Sequence, residues 1–142
     1  IVITQKDIRE IQLAKAAIFA GCSILMTKKR LKREEIDRIF IAGAFGTHID
    51  PENAKCIGLI PDIPAEKIKF IGNAAISGAK LALISKEMRE KVRSIIQKTT
   101  YVELSADPDF TAEFFKCAFL PHKILDKFPT VKIKLQRIWK NN

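Results

Sequence analysis

The sequence predicts an α/β domain built as a short mixed sheet flanked by helices, and three observations carry that prediction. Two compact apolar runs, Arg38-Ile39-Phe40-Ile41-Ala42 and Lys67 to Ile71, each stop at a glycine, Gly43 and Gly72. Short apolar runs closed by glycine turns read as buried strands, parallel and covered on both faces. A long helical pattern precedes the first run and a small-residue helical pattern follows the second. The 142 residues fit one domain with a core of ordinary size.

Taken in order, Thr4 with Asp7 forms an N-cap with an acidic residue in the first turn, where the helix dipole favours it. Behind it Ile8, Ile11, Ala14, Ile18, Cys22, Leu25 and Met26 draw an apolar stripe along a helix from about Gln5 to Thr27. Leu31 to Asp37 is a short connection with helical character, and the first strand follows. Asp50-Pro51-Glu52 starts another helix, with Asp as cap and Pro in the first helical position, and Gly58 ends it. Leu59 to Ala65 carries Pro61 and Pro64 and reads as a loop. After the second strand, Asn73 to Ile84 is a small-residue helix, with Ala74, Ala75, Gly78, Ala79 and Ala82 offering a face that another backbone can approach closely. Ser85 caps a charged helix to about Lys98, Thr100 to Leu104 alternates like an edge strand, and Asp107-Pro108 opens a last helix with Phe110, Phe114, Phe115 and Cys117. The compact pattern stops at Pro121, which divides the chain into a domain over 1–122 and a basic tail over 123–142. Val131, Ile133, Leu135, Ile138 and Trp139 make that tail either an edge strand or an amphipathic segment laid on a neighbour.

Composition excludes several classes. With 47% hydrophobic and 29% charged residues the chain is neither disordered nor membranous in composition. The longest apolar candidate for a span, Ala14 to Met26, is interrupted by Lys15, Gly21 and Ser23 and falls short of about 18 residues, so no membrane partner is expected. Ile1 to Gln12 lacks the basic-then-apolar order of a signal peptide. Cys22, Cys56 and Cys117 form no CxxC pair and read as buried free thiols of a reducing, cytoplasmic compartment. The net charge of +9 and pI of 9.6 invite a nucleic-acid reading. Six basic residues from Lys123 onward face Asp126 alone, however, and hold more than half of that charge. The Lys28, Lys29, Arg30, Lys32, Arg33 cluster is followed at once by Glu34 and Glu35 and reads as a solvated helix end, so nucleic acid is not the expected partner.

Catalytic constellations are scarce. His48 and His122 have no partner at metal-ligand spacing, so no metal site is predicted. His48, in the loop after the first glycine turn, keeps a small functional claim, whereas His122 reads as an ordinary residue at the start of the tail. Glu34 with Glu35 and Asp107 with Asp109 sit where helix starts want them, and no catalytic residue is assigned. The two strand-to-glycine junctions, through Gly46 and through Asn73-Ala74-Ala75, carry more. Ligands bind outside the carboxyl ends of strands in open α/β sheets, and glycine there leaves room for a flat ligand. Neither junction is a Walker loop or a GxGxxG motif.

The order of helix with Gln12 and Lys15, apolar strand with its glycine turn, and Gly72-Asn73-Ala74-Ala75 before a small-residue helix resembles the nucleotide-side half of the actin, Hsp70 and sugar-kinase (ASKHA) superfamily. The wording Thr4-Gln5-Lys6-Asp7-Ile8-Arg9, Gln12, Ala14-Lys15-Ala16-Ala17, Ala42-Gly43-Ala44-Phe45-Gly46, Asp50-Pro51-Glu52-Asn53-Ala54 and Gly72-Asn73-Ala74-Ala75 with Gly78-Ala79 is similar to the C-terminal domain of reductive activators of corrinoid proteins. These are ATP-dependent iron–sulfur enzymes that return cob(II)amide to cob(I)amide, and the resemblance covers about Ile3 to His122. It implies an actin-like ATPase half in which Gly43, Ala44, Phe45 and Gly46 form the adenosine turn. Gly72 and Asn73 would close the pocket, and Gln12 and Lys15 would reach the adenine or ribose edge. It also implies ATP and Mg²⁺ as ligands of the parent protein, a corrinoid protein as partner, and a docking or homodimer surface.

Two superfamily features have no counterpart here, the acidic phosphate loops and the cysteines of a redox cluster. The expectation is therefore a C-terminal part of a larger activator, with its iron–sulfur cluster elsewhere in the parent and no ATP turnover alone. Two alternatives stay open: a non-enzymatic protein-interaction module, and the nucleotide half of a kinase or dehydratase-activator relative.

Overall fold

The computed structural model describes residues 2–140, with the backbone only of Phe45 and Thr47. Eight regular elements follow in order: α1 (Gln5–Lys29), β1 (Ile39–Ile41), α2 (Pro51–Ile57), β2 (Ile68–Phe70), α3 (Ala74–Ile84), α4 (Lys86–Lys98), α5 (Phe110–Cys117) and α6 (Pro129–Lys140). The fold is mostly helical. Its sheet is a two-stranded parallel pair, Ile39 opposite Ile68 and Ile41 opposite Phe70, and not a mixed one. Residues 100–104, expected as an edge strand, run without strand pairing. The pair is also not covered on both faces: Ile68 is buried, but Phe40 is 58% exposed.

Helix starts follow the predicted chemistry. The Thr4 hydroxyl accepts the Asp7 N–H while the Asp7 carboxylate accepts from the Thr4 N–H, a reciprocal capping box. Asp50 caps α2, Asn73 caps α3 and Ser85 caps α4. Gly58 ends α2 with φ +75°, so close to Pro121 that an added Cβ would sit 2.1 Å from its carbonyl oxygen. Only glycine combines that conformation with that approach.

Two clusters form the core. Ala16, Phe19 and Ala20 of α1 pack with Cys117, Phe128 and Val131, and Ile36, Ala54, Leu59, Ile60, Ile63 and Ile68 form the second. The predicted loop over 59–65 is thus an apolar plug, its two prolines notwithstanding. The predicted stripe of α1 is corrected more sharply. Ile11, Ile18 and Leu25 lie at the surface, while Lys15, Ala16, Phe19, Ala20, Gly21 and Ile24 face inward. α1 is apolar around most of its circumference, so periodicity marks two candidate faces. Close packing on α5 selects the one with small residues, where Gly21 leaves only 3.3 Å for a Cβ beside Leu104. By length and composition alone Gln5–Lys28 also qualifies as a membrane span, contrary to the reading from Lys15, Gly21 and Ser23. A third of that window is buried inside the domain.

Beyond 122 the segment set apart by its charge shares the first cluster through Phe128 and Val131. Of the two forms anticipated for it, the amphipathic one is observed, as α6. Asp62, buried in the apolar plug, accepts from the Thr130 N–H at 2.8 Å and from its hydroxyl at 2.6 Å, tying the start of α6 to the second cluster. His122, expected to be an ordinary residue at the start of the tail, is buried beside Phe19 and Phe128.

Candidate functional site

The two glycine turns meet at the carboxyl end of the parallel pair. Pairing continues past the strands, with the Ile71 N–H donating to the Ile41 carbonyl at 3.0 Å and the Gly43 N–H to the Gly72 carbonyl at 2.7 Å. Gly43 has φ +90° and ψ 170°, a region essentially reserved for glycine, and Gly72 has φ +60°. A Cβ at either position, or at Gly78 on α3, would meet nothing within 4 Å, so open space lies over the backbone. Gly46 is different. It closes a 3₁₀ turn over Ala44–His48, and a Cβ there would strike Ile41 Cγ2 at 2.6 Å, so this glycine serves packing.

Asn73 stands at the junction. Its side-chain oxygen accepts the Ile76 N–H at 3.0 Å, which fixes the amide orientation and turns the NH₂ outward. Phe40 and Ile71 are exposed on one face of the pair, where Lys69 stands opposite Phe40, and Phe70 is exposed on the other face. The arrangement offers a flat ligand a bare backbone shelf and a neutral donor, with His48 the titratable side chain on the same turn.

The structure therefore brings Gly43, Ala44 and Gly46 together with Gly72 and Asn73. The Phe45 side chain falls outside the described part of the molecule, and His48 is exposed on the same turn. Gln12 is half-buried on α1, one turn before Lys15. Lys15 is 1% exposed, and its amine donates to the carbonyls of Phe119 and, at 2.6 Å, Pro121. Burial lowers its pKa to about 8, partly offset by Cys117, so it is still mostly charged at neutral pH. Its first task is to close the α5–α6 connection onto α1. An i to i+3 spacing from Gln12 cannot reveal this, because the partners are carbonyls about a hundred residues away.

A second polar cluster lies where the spacing of histidines predicts no metal set. Donor atoms of Glu113, Cys117 and His122 lie within 4.8 Å of one another. The i, i+4 pair on α5 and the histidine five residues on are the signal in the sequence. The geometry argues against a metal, because His122 Nδ1 accepts the Ile124 N–H at 2.9 Å. That bond leaves the ring proton of the neutral tautomer on Nε2, a donor and not a ligand, 3.8 Å from the Glu113 carboxylate. Burial, and then the Lys127 charge, lower the His122 pKa against the pull of Glu113. Burial raises the Glu113 pKa, but bonds from Lys127 and Ser23 outweigh it and bring the pKa down to about 2. Glu113 is thus an ionic hub between α1, α5 and the C-terminal segment. The cysteines do not fit an iron–sulfur cluster either. Cys117 is buried, Cys22 and Cys56 half-buried, and three thiols are one short of the usual four.

A cavity of about 500 Å³ lies away from both glycine turns, between the end of α1 and the plug, with Phe19, Met26, Arg30, Lys32 and Pro61 in its wall. None of the eight residues predicted for adenosine lines it.

Comparison with known proteins places these features in a lineage. Residues 1–132 match the family model described as the C-terminal domain of RACo, the ASKHA domain. The corrinoid activation enzyme RamQ of Eubacterium limosum is 46% identical over 114 residues, 80% of this chain and 19% of that protein. The Co(II) methylated amine-specific corrinoid protein reductase of Methanosarcina barkeri is 32% identical over 98 residues, 69% of this chain and 18% of that protein. A solved structure, a reductive activator for corrinoid,iron-sulfur protein, superposes with a TM-score of 0.83 at 42% identity, covering 90% of this chain and 20% of that one. The chain spans about a fifth of the length of each relative.

Proposed function

The chain belongs to the family of the C-terminal, ASKHA domain of RACo, and from that premise we propose that it forms the adenosine-holding side of the nucleotide cleft in an ATP-dependent reductive activator of a corrinoid protein. The supporting observation is the joining of the two glycine turns through the Gly43 N–H and the Gly72 carbonyl, with open space over both glycines. Backbone exposed in this way admits a purine to van der Waals distance, and side chains at 43 or 72 would exclude it.

In this reading Gly43, Ala44, Gly72 and Asn73 cradle the nucleoside, Gly46 packs the turn against Ile41, and the outward Asn73 amide donates to an acceptor on the base or ribose. Gln12 supplies the polar group from α1, and the backbone of Phe45 completes the turn. Phosphate and Mg²⁺ ligation belong to the rest of the parent protein, as does the iron–sulfur cluster that would deliver the electron to cobalt. The domain's part in the reaction is to bind, orient and close on the nucleotide. By itself it does not turn ATP over.

Calorimetric titration of the full-length activator with ATP and adenosine tests this. Gly43→Val should weaken both by at least about tenfold, since a branched side chain at φ +90° both strains the turn and fills the open space. Unchanged affinity in a folded variant would overturn the assignment.

A further inference from the structure

The basic cluster at the end of α1 is not merely solvated: three of its members, Arg30, Lys32 and Arg33, line a cavity of the domain. The wall is mostly apolar, from Phe19, Met26, Leu31 and Pro61, and its volume of about 500 Å³ suits a small organic molecule. The charges around it are unevenly satisfied. Each acid in the wall already has a partner. Asp62 accepts from Thr130, Asp126 pairs with Lys132 at 2.6 Å, and Glu34 pairs with Arg33 at 2.5 Å. Lys127 is held by Glu113. Arg30 and Lys32 have no side-chain hydrogen bond or ion pair among the described residues; Glu34, which feels the Lys32 charge, is bound by Arg33, and the four basic residues of the wall outnumber its three acids.

Arg30 carries a second, independent signal. It ends α1 in the left-handed region, φ 53°, the one non-glycine residue with positive φ among those described. Its N–H reaches the Thr27 carbonyl at 3.0 Å and the Leu31 N–H reaches Met26 at 2.9 Å, the hydrogen-bond pattern that usually has glycine at this position. Arginine is strained there, and its side chain, at the cavity wall, has no hydrogen bond or ion pair among the described residues.

We infer that this cavity binds a small organic oxyanion, a carboxylate or phosphate ester on an apolar body, with the body against Phe19, Met26, Leu31 and Pro61 and the anionic group between Arg30 and Lys32. The site is separate from the glycine turns, and its ligand is not the adenosine proposed there.

Three probes sharing one ring system separate the contributions: 1-naphthoate, 1-naphthyl phosphate and neutral 1-naphthol, each titrated into the protein with amide shifts followed by NMR. The anions should saturate one site, moving residues 23–34 and 61–62. The neutral probe should bind at least about tenfold more weakly, as expected for loss of charge-assisted bonds. The preferred anion identifies carboxylate or phosphate as the natural group. Arg30→Gly with Lys32→Gln should weaken both anions at least about tenfold while leaving Tm unchanged or raised, because glycine relieves the positive φ. Should the pair lower Tm, Lys32→Gln alone, at an exposed position, should still weaken the anions severalfold. Equal binding of 1-naphthol, undiminished binding by the variants, or shifts confined elsewhere would each overturn the site. Loss of the glycine-turn reading would leave these results untouched.

Discussion

At position 58 one hydrogen atom decides whether two parts of the chain can meet. The Pro121 carbonyl approaches Gly58 so closely that alanine would place Cβ 2.1 Å from its oxygen, at a φ of +75° that already disfavours a side chain. Gly58→Ala should cost about 3 kcal/mol or more, seen as a lowered urea midpoint. The same loop depends on Lys15. Lys15→Met keeps the apolar stem but leaves the carbonyls of Phe119 and Pro121 without their donor, and should cost about 2 kcal/mol or more. If Lys15 instead served mainly the nucleotide, that variant would keep its stability and lose only affinity, a split that denaturation and calorimetry on one sample would resolve. Gly58 as a helix terminator is legible in the sequence. Its neighbour is not, since nothing local points to residue 121.

Among the elements, α3 shows how far local chemistry carries. Asn73 was readable as part of a glycine junction, and the fold uses its side chain as the cap of the helix that begins beside the candidate site. Asn73→Ala should cost about 1 kcal/mol through the lost cap and also weaken nucleotide binding, whereas Asn73→Asp should retain the cap and lose only the outward donor. Comparing thermal melts with ATP affinity for the two variants distinguishes these roles. α1 shows the opposite. Its caps and length follow from Thr4, Asp7 and its apolar content, but its buried face does not, because Ile11, Ile18 and Leu25 repeat as regularly as Ala16, Phe19 and Ile24. The choice is made by packing, in which Ala16 and Ala20 share a cluster with Cys117 of α5 and Gly21 leaves room for Leu104. β1 and β2 fall between these cases. Their existence and parallel sense are written in two apolar runs closed by glycine, while the open face at Phe40 is a matter of what lies opposite.

For the molecule as a whole, stability depends on segments far apart in sequence. Phe128 sits fully buried against Phe19 and Cys117, so Phe128→Ala should cost about 3–5 kcal/mol, and a chain cut after 122 should expose the first cluster and melt well below the intact one. Glu113 gives that cluster its pH dependence. Its folded-state pKa near 2 lies below the ordinary 4.5, so its stabilisation is complete above about pH 4.5 and is lost as pH falls toward 2. Glu113→Gln should flatten the fall in stability across that window, measured by urea unfolding from pH 5 to 2.5, and an unchanged slope would exclude this role. Composition, caps, the parallel strand pair and the two glycine turns were determined by the sequence itself, because each rests on residues within a few positions of one another. The buried amine of Lys15, the Glu113 hub, the inward face of α1 and the inclusion of Phe128 in the core were decided only by the tertiary structure, because their partners are brought within reach by packing across about a hundred residues.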